Sequence, residues 1–502
     1  MAKWEILNID PWIKDYEDDI NLRMSEYEKA KNRLVGDGQT LSDFANAHHY
    51  YGFHKTKTGW IYREWAPNAD GLYLIGDFND WDRHAHPMKK INDEDWEISI
   101  KGIKNIPHGS RLKVLVDANG KISDRIPLFA KRVERDENGD FAAIMYNPRS
   151  KFKWNDSDFK IKNEDLLIYE AHIGMAGEEG KVSTYKEFEK NILPKIKKAG
   201  YNTVQLMAIA EHPYYGSFGY QVSNFYAPSS WYGEINDLKS LVNTAHKLGL
   251  NVIMDLVHSH AVKNTIEGIN EFDGTDYQFF HTGAKGEHPD WDSKLFDYAK
   301  PGVAHFLLSN VKYWLEEFHF DGFRFDGVTS MIYKNHGRGV SFDHYDKYFS
   351  MNTDIEAINY LQMANELARE VKEDVITIAE DMSAMPGMCL PISQGGIGFD
   401  YRLAMGMPDF WERTLEQRDD DWDLSNMWYE LSTHRPEEKR IAYVESHDQA
   451  LVGSKTTIFT LADQEMYWHM NKDDDNYIVE RAIALHKMIR WITISMGSDG
   501  YL

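Results

Sequence analysis

From about residue 160 onward the chain alternates between two spacings of apolar side chains: short runs that are apolar at nearly every position, and longer stretches with apolar residues three and four apart. The short runs predict buried strands of a parallel sheet, and the longer stretches predict amphipathic helices that cover it. The strand-like runs are "LLIYEAHIG", "TVQLMAIA", "NVIMDLVHSH", "GFRFDGVTS", "VITIAED", "FDYRLAM" and "RIAYVESHD", with an eighth beginning at "GYL". Among the helix-like stretches are "TYKEFEKNILPKIKKAG", where Thr184 and Glu187 have capping-box spacing, and "VAHFLLSNVKYWLEEF". Seven or eight such units without a Gly-x-Gly-x-x-Gly turn predict an α/β fold closed into a (β/α)8 TIM barrel, with its active site at the C-terminal ends of the strands.

Ahead of this barrel, assigned to residues 160–502, two other patterns appear. Residues 1–45 form a helical leader in which apolar positions are sparse (Tyr16, Ile20, Met24, Tyr27), predicting an exposed helix that ends at "GDG". Residues 46–150 predict a small β-sandwich: short β-rich runs separated by turn residues, including an Asn119-Gly120 hairpin signal.

Composition narrows the class of partner. A formal net charge of -24 and 42% hydrophobic residues describe a globular chain with a large core and no general basic surface, which argues against nucleic acid and anionic membranes as partners. The first residues have neither a basic lead nor an apolar signal region, and no later segment approaches membrane-span length. Cys389 is the one cysteine, so no intrachain disulfide or cysteine-rich zinc site forms, in keeping with a soluble protein of the reducing cytoplasm.

Candidate chemistry sits where the predicted strands end. Asp255, His258 and His260 follow the third strand, Arg324 and Asp326 lie on the fourth, Glu380 on the fifth, and His447 and Asp448 follow the seventh. In a barrel these converge on one mouth. A His258-x-His260 metal site needs further histidines on later strands, and the fifth and sixth offer Glu380 and Asp400 instead. Paired carboxylates acting on a glycosidic bond fit better: one attacks the anomeric carbon and a second, about 5 Å away in retaining enzymes, protonates the leaving oxygen. Asp326 and Glu380 on adjacent strands suit that pair, and Arg324, two residues from Asp326 on the same strand face, supplies its counter-charge. No metal or other cofactor is expected.

In family order, "DLVHSH", "GFRFDGVTS", "AED" and "YVESHDQ" resemble the four barrel-strand motifs of the α-amylase superfamily. The longer stretches "MAIAEHPYYGSFGYQVSNFYAPSSWYG", "AEDMSAMPGM" and "YVESHDQALVG" resemble the glycogen (1,4-α-glucan) branching enzymes of eukaryotic type, and "EWAPNADGLYLIGDFNDW" resembles the glucan-binding sandwich that precedes the barrel in branching and debranching enzymes. The resemblance implies a retaining transglycosylase acting on an α-glucan such as glycogen, starch or amylose, with a debranching hydrolase or a non-catalytic glucan-binding scaffold as the alternatives. It further implies Asp326 as nucleophile, Glu380 as acid/base and Asp448 as the carboxylate that stabilises the transition state. Asp255, His260, Arg324 and His447 would contact the sugar, and Tyr220 would stack against it. In the sandwich, Trp65 and Trp81 are candidate glucan platforms; Trp65, mid-strand, reads by sequence alone as core, with a glucan contact there implied by the resemblance, and Trp81 lies in a turn, open equally to stacking and to core packing.

Proteins of that family continue through the eighth strand, its helix and a carboxy-terminal β-domain. A chain stopping at "ITISMGSDGYL" is therefore expected to be a fragment, with two unpaired barrel edges, uncovered apolar faces on neighbouring helices, and poor expression or activity.

Overall fold

A computed structural model describes residues 3–161, 164–453, 455–496 and 498–502 of the chain. Its centre is a closed barrel of eight parallel strands, which we number β1 (Leu166–Ala171), β2 (Thr203–Leu206), β3 (Asn251–Leu256), β4 (Gly322–Phe325), β5 (Ile376–Ala379), β6 (Tyr401–Leu403), β7 (Arg440–Ala442) and β8 (Gly500–Tyr501). Side chains alternate across each strand, so the barrel has two cores. One set, including Ile168, Ile253, Ile376, Ile378, Leu403 and Ile441, forms its own interior cluster. The other, including Val252, Met254, Phe323 and Phe325, joins the large cluster shared with the surrounding helices, among them Pro301–Phe318 and Ile355–Val371. Gly322 opens β4 where a Cβ would lie 1.9 Å from the Ile376 carbonyl oxygen, so β4 and β5 approach this closely only with glycine there.

The expected open edges are not found. Residues 500 and 501 of β8 pair with Leu166 and Leu167 of β1 on one side and with Ile441 and Ala442 of β7 on the other. The Asp499 and Leu502 amides extend that ladder to the Arg440 and Ala442 carbonyls, at 3.1 and 2.9 Å. Two residues suffice because a parallel strand bonds through both of its edges. Aromatic side chains of the helix before β8, Tyr477–Ser495, do face solvent, notably Tyr477 and Trp491.

The leader, of which residues 1 and 2 lie outside the described residues, corrects a second expectation. Its helix Glu17–Leu34 is docked rather than exposed, burying Ile20, Arg23, Met24, Tyr27 and Ala30 along one face. Helix Ile355–Val371 receives it: Gln362 Nε2 lies 3.5 Å from Met24 Sδ, and Tyr27 and Lys31 both bond Glu366. Three- and four-residue spacing was present, but too few positions were apolar for the stripe to stand out.

Between leader and barrel, one sheet runs in the order Gly52–Lys55, Gly59–Trp65, Asp95–Lys101, Lys89–Lys90. A second runs Gly71–Gly76, Arg111–Ala118, Phe141–Ile144, Val133–Arg135, with Lys121–Arg125 paired to Arg111–Ala118 through the Asn119-Gly120 turn. Buried Arg125 fastens this module to the barrel's β3 loop by donating to the carbonyls of Gly268, Asn270 and Glu271.

Candidate active site

The inward face of the barrel turns from apolar to charged at its C-terminal end while keeping the two-residue period of the strands. Ile168 is followed by Glu170, Ile253 by Asp255, Gly322 by Arg324 and Asp326, and Ile378 by Glu380. The same alternation that fills the barrel therefore aims these side chains into its mouth.

Arg324 is the hub, with only 2% of its side chain exposed. Its Nη1 donates to Asp255 Oδ2 at 3.0 Å and to Asp326 Oδ1 at 3.1 Å, and its Nη2 lies 3.0 Å from Glu380 Oε1. Burial alone would lower the pKa of this guanidinium, but the carboxylates of Asp255 and Glu380 outweigh it and hold the charge firmly. Gly327 follows Asp326 with φ 65, a left-handed backbone conformation, and its N–H donates to Glu380 Oε2 at 2.6 Å. A Cβ at that position would also meet Ser259 and the Trp291 ring at 3.0 to 3.1 Å. Burial pushes the Glu380 carboxyl up to about 8 against the pull of Arg324, and the neighbouring Asp326 and Asp448 carboxylates add to the rise. The rise favours a proton on Glu380 beside Asp326, the kind of environment that suits one carboxyl of a pair to act as the acid.

Tyr220 and His447 close one wall, their rings stacked 4.9 Å apart at 13°. The Tyr220 hydroxyl donates to Asp255 Oδ2 at 2.5 Å. Burial raises Asp255 to about 6, although Arg324 opposes it. His260 donates through Nε2 to the Tyr220 carbonyl at 2.7 Å, and the Ser259 hydroxyl lies 2.9 Å from His260 Nδ1 and 3.2 Å from Asp326 Oδ2. Asp448 begins the π-helical turn Asp448–Gly453 and is 43% exposed, with its Oδ1 3.3 Å from His447 Nε2.

A model of the α-amylase catalytic domain matches residues 190–460, and a model of carbohydrate-binding module 48, the isoamylase N-terminal domain, matches residues 50–130. The chain is 48% identical to the 1,4-alpha-glucan-branching enzyme of Rhizophagus irregularis, over 99% of this chain and 74% of the relative. It is 49% identical to that of Yarrowia lipolytica, over 99% and 75%, and 46% identical to that of Felis catus, over 99% and 72%. The chain belongs to the 1,4-α-glucan-branching enzymes. Among solved structures, the pullulanase of Bacillus acidopullulyticus (TM-score 0.58, 18% identity, 82% of this chain and 55% of that one) and a putative alpha amylase from Salmonella typhimurium (TM-score 0.58, 19% identity, 80% and 66%) share the fold.

In this branching enzyme, Asp326, Glu380, Asp255, Arg324, Tyr220, His260, His447 and Asp448 all gather at one mouth. Four other residues lie elsewhere. His258 points away from His260 into the helical layer, where the Tyr360 hydroxyl donates to its Nδ1 at 2.6 Å and its Nε2 donates to Asn310 Oδ1 at 3.0 Å. Burial holds it neutral, with a pKa of about 4, and the two histidines cannot share a metal. Asp400 precedes β6 at the opposite end of the barrel, bonded to Arg369 and Thr377. Trp65 offers no open ring face: it is 7% exposed, set edge-on to Phe279 across the sandwich–barrel junction, and donates to Glu94. Trp81 is half-buried in its turn, with Nε1 on Asp77. The candidate set had omitted Glu170, Ser259 and Trp291. For Glu170 the signal was present, since it is a charged residue at a strand end in "LLIYEAHIG".

Proposed function

We propose that this enzyme cleaves an α-1,4-glucan chain and transfers the released segment to a glucose 6-hydroxyl, making an α-1,6 branch by double displacement. Asp326 attacks the anomeric carbon while Glu380 gives its proton to the departing O4, leaving a covalent glycosyl-enzyme on Asp326. Glu380, now a carboxylate, then takes the proton of the acceptor's 6-hydroxyl as that oxygen attacks the same carbon and releases Asp326. Inverted twice, the sugar keeps its α configuration. Asp448 balances the positive charge that develops on the ring, and Tyr220, Asp255, His260, Arg324 and His447 hold the sugar in place.

The observation that carries this reading is the single Arg324 guanidinium bonding both Asp326 and Glu380. Two carboxyls on the terminal nitrogens of one guanidinium suit the short gap, roughly 5 Å, of a retaining pair rather than the wider gap an inverting enzyme needs for its water. The sandwich supports α-glucan polysaccharide as the substrate, with half-buried Trp81 as a secondary contact. A single cysteine suits a cytoplasmic setting.

The test uses amylose as substrate. Reducing ends are followed during incubation, and chain lengths are measured after enzymatic debranching. Short chains should accumulate without new reducing ends. Rising reducing ends would identify a hydrolase instead, and no change in either would leave a glucan-binding scaffold.

A further inference from the structure

The mechanism above leaves unused a charged residue deep in the same mouth. Glu170, at the end of β1, has 14% of its side chain exposed and spends both carboxylate oxygens on one residue. Its Oε2 accepts the His447 main-chain N–H at 3.0 Å, and its Oε1 accepts the His447 ring N–H at Nδ1, at 2.8 Å. Gln205 Nε2, from β2, reaches the same Oε1 at 3.4 Å. A carboxylate at Nδ1 fixes the proton there, so the other ring nitrogen, Nε2, is the one presented to Asp448 Oδ1. The grip also sets the ring plane, because Tyr220 stacks on one face of an imidazole that can no longer rotate.

We propose that Glu170 is a positioning residue for the transfer reaction: it clamps the main chain and ring of His447, and through them fixes Asp448 and keeps a charged Nε2–H donor directed at the bound sugar. The proposal rests on the roles given above to Asp448 and His447. Charges facing His447 come from every neighbouring element: Glu170 on β1, Asp255 on β3, Arg324 on β4 and Asp448 beside it, with His172 held neutral near 4 by burial. Burial and Arg324 oppose a positive ring, yet the hydrogen bond and charge of Glu170, joined by Asp448, push His447 up to about 9. The imidazolium therefore persists through neutral pH because an anion is built in behind it.

Two measurements test this on the full chain. The first titrates the His447 ring by NMR in the unliganded protein, its signal identified by comparison with His447→Gln, and so does not depend on turnover. Wild type should titrate near 9, and Glu170→Gln should lower the midpoint by about two pH units, because the anion favouring the charged ring is gone. The second is the pH profile of branching. Glu170→Gln should keep most of its activity at acidic pH and lose it at least about one pH unit earlier on the alkaline side, whereas a purely structural defect would scale the whole profile down. Glu170→Asp, which keeps the charge, should stay within about half a unit of wild type on both readouts, and it covers the case in which the glutamine variant does not fold. In a His447→Gln background, Glu170→Gln should move the profile no further. An unchanged His447 midpoint in Glu170→Gln, or an equal shift without His447, would overturn the proposal. A wild type that showed no branching while the midpoint still moved would instead put the fault in the assigned reaction.

Discussion

Asp326 and Glu380 share one arginine, and their difference in role comes from what else each touches. Glu380 accepts the Gly327 N–H and lies among two further carboxylates in a buried site, which raises it to about 8. Its proton is needed in the first step, so activity should fall as pH rises through about 8, where that proton is lost. Glu380→Gln and Asp326→Asn should each cut branching by several orders of magnitude, because each removes a chemical step rather than a binding contact. Retention of a tenth of wild-type turnover by either variant would refute the assignment, and binding to immobilised amylose should persist in both. The charged residues of the site were legible in the sequence because they prolong an apolar two-residue period: an Arg or Asp on the inward phase of "GFRFDG" cannot be ordinary core. His258 misled for a related reason. Only tertiary packing reveals that it faces Tyr360 and Asn310 while His260, two residues on, faces the mouth.

At the level of elements, the barrel strands and the leader helix were legible, but the docking of that helix was not. Strands buried on both faces announce themselves as unbroken apolar runs, whereas a helix docked along a narrow face needs few apolar residues and can bury even a charged one whole, as it does Arg23. That docking has a measurable worth. Met24→Ala removes a side chain that is 3% exposed and should destabilise the protein by about 2 to 4 kcal/mol in urea unfolding. Leu22→Ala, on the 49% exposed side of the same helix, should change stability by less than about 0.5 kcal/mol. Equal effects at the two positions would mean that the helix is not held where it lies. Trp65 shows the limit from the other direction. Its strand position indicated burial, but that it is buried against the barrel, with Gln278 donating to its carbonyl, depends on how two modules meet.

For the molecule as a whole, three carbonyls of the β3 loop converge on Arg125 and make the sandwich and barrel one mechanical unit. Arg125→Met keeps the stem but leaves those carbonyls without a donor, so the sandwich should loosen first and calorimetry should resolve two transitions in place of one. A single undisturbed transition would show that the remaining junction suffices. The barrel has an unequal hoop of its own. β1 is joined to β2 over four register pairs but to β8 over two, as few as join β5 to β6, β6 to β7 and β7 to β8, and of these seams it is β1–β8 that brings together segments more than roughly three hundred residues apart. A cylinder fails at its thinnest stave. Hydrogen exchange should therefore find the amides of Tyr501 and Leu502 opening far more often than that of Arg324, and Glu170, whose clamp on His447 belongs to the strand on that seam, stands at the place where the ring would part.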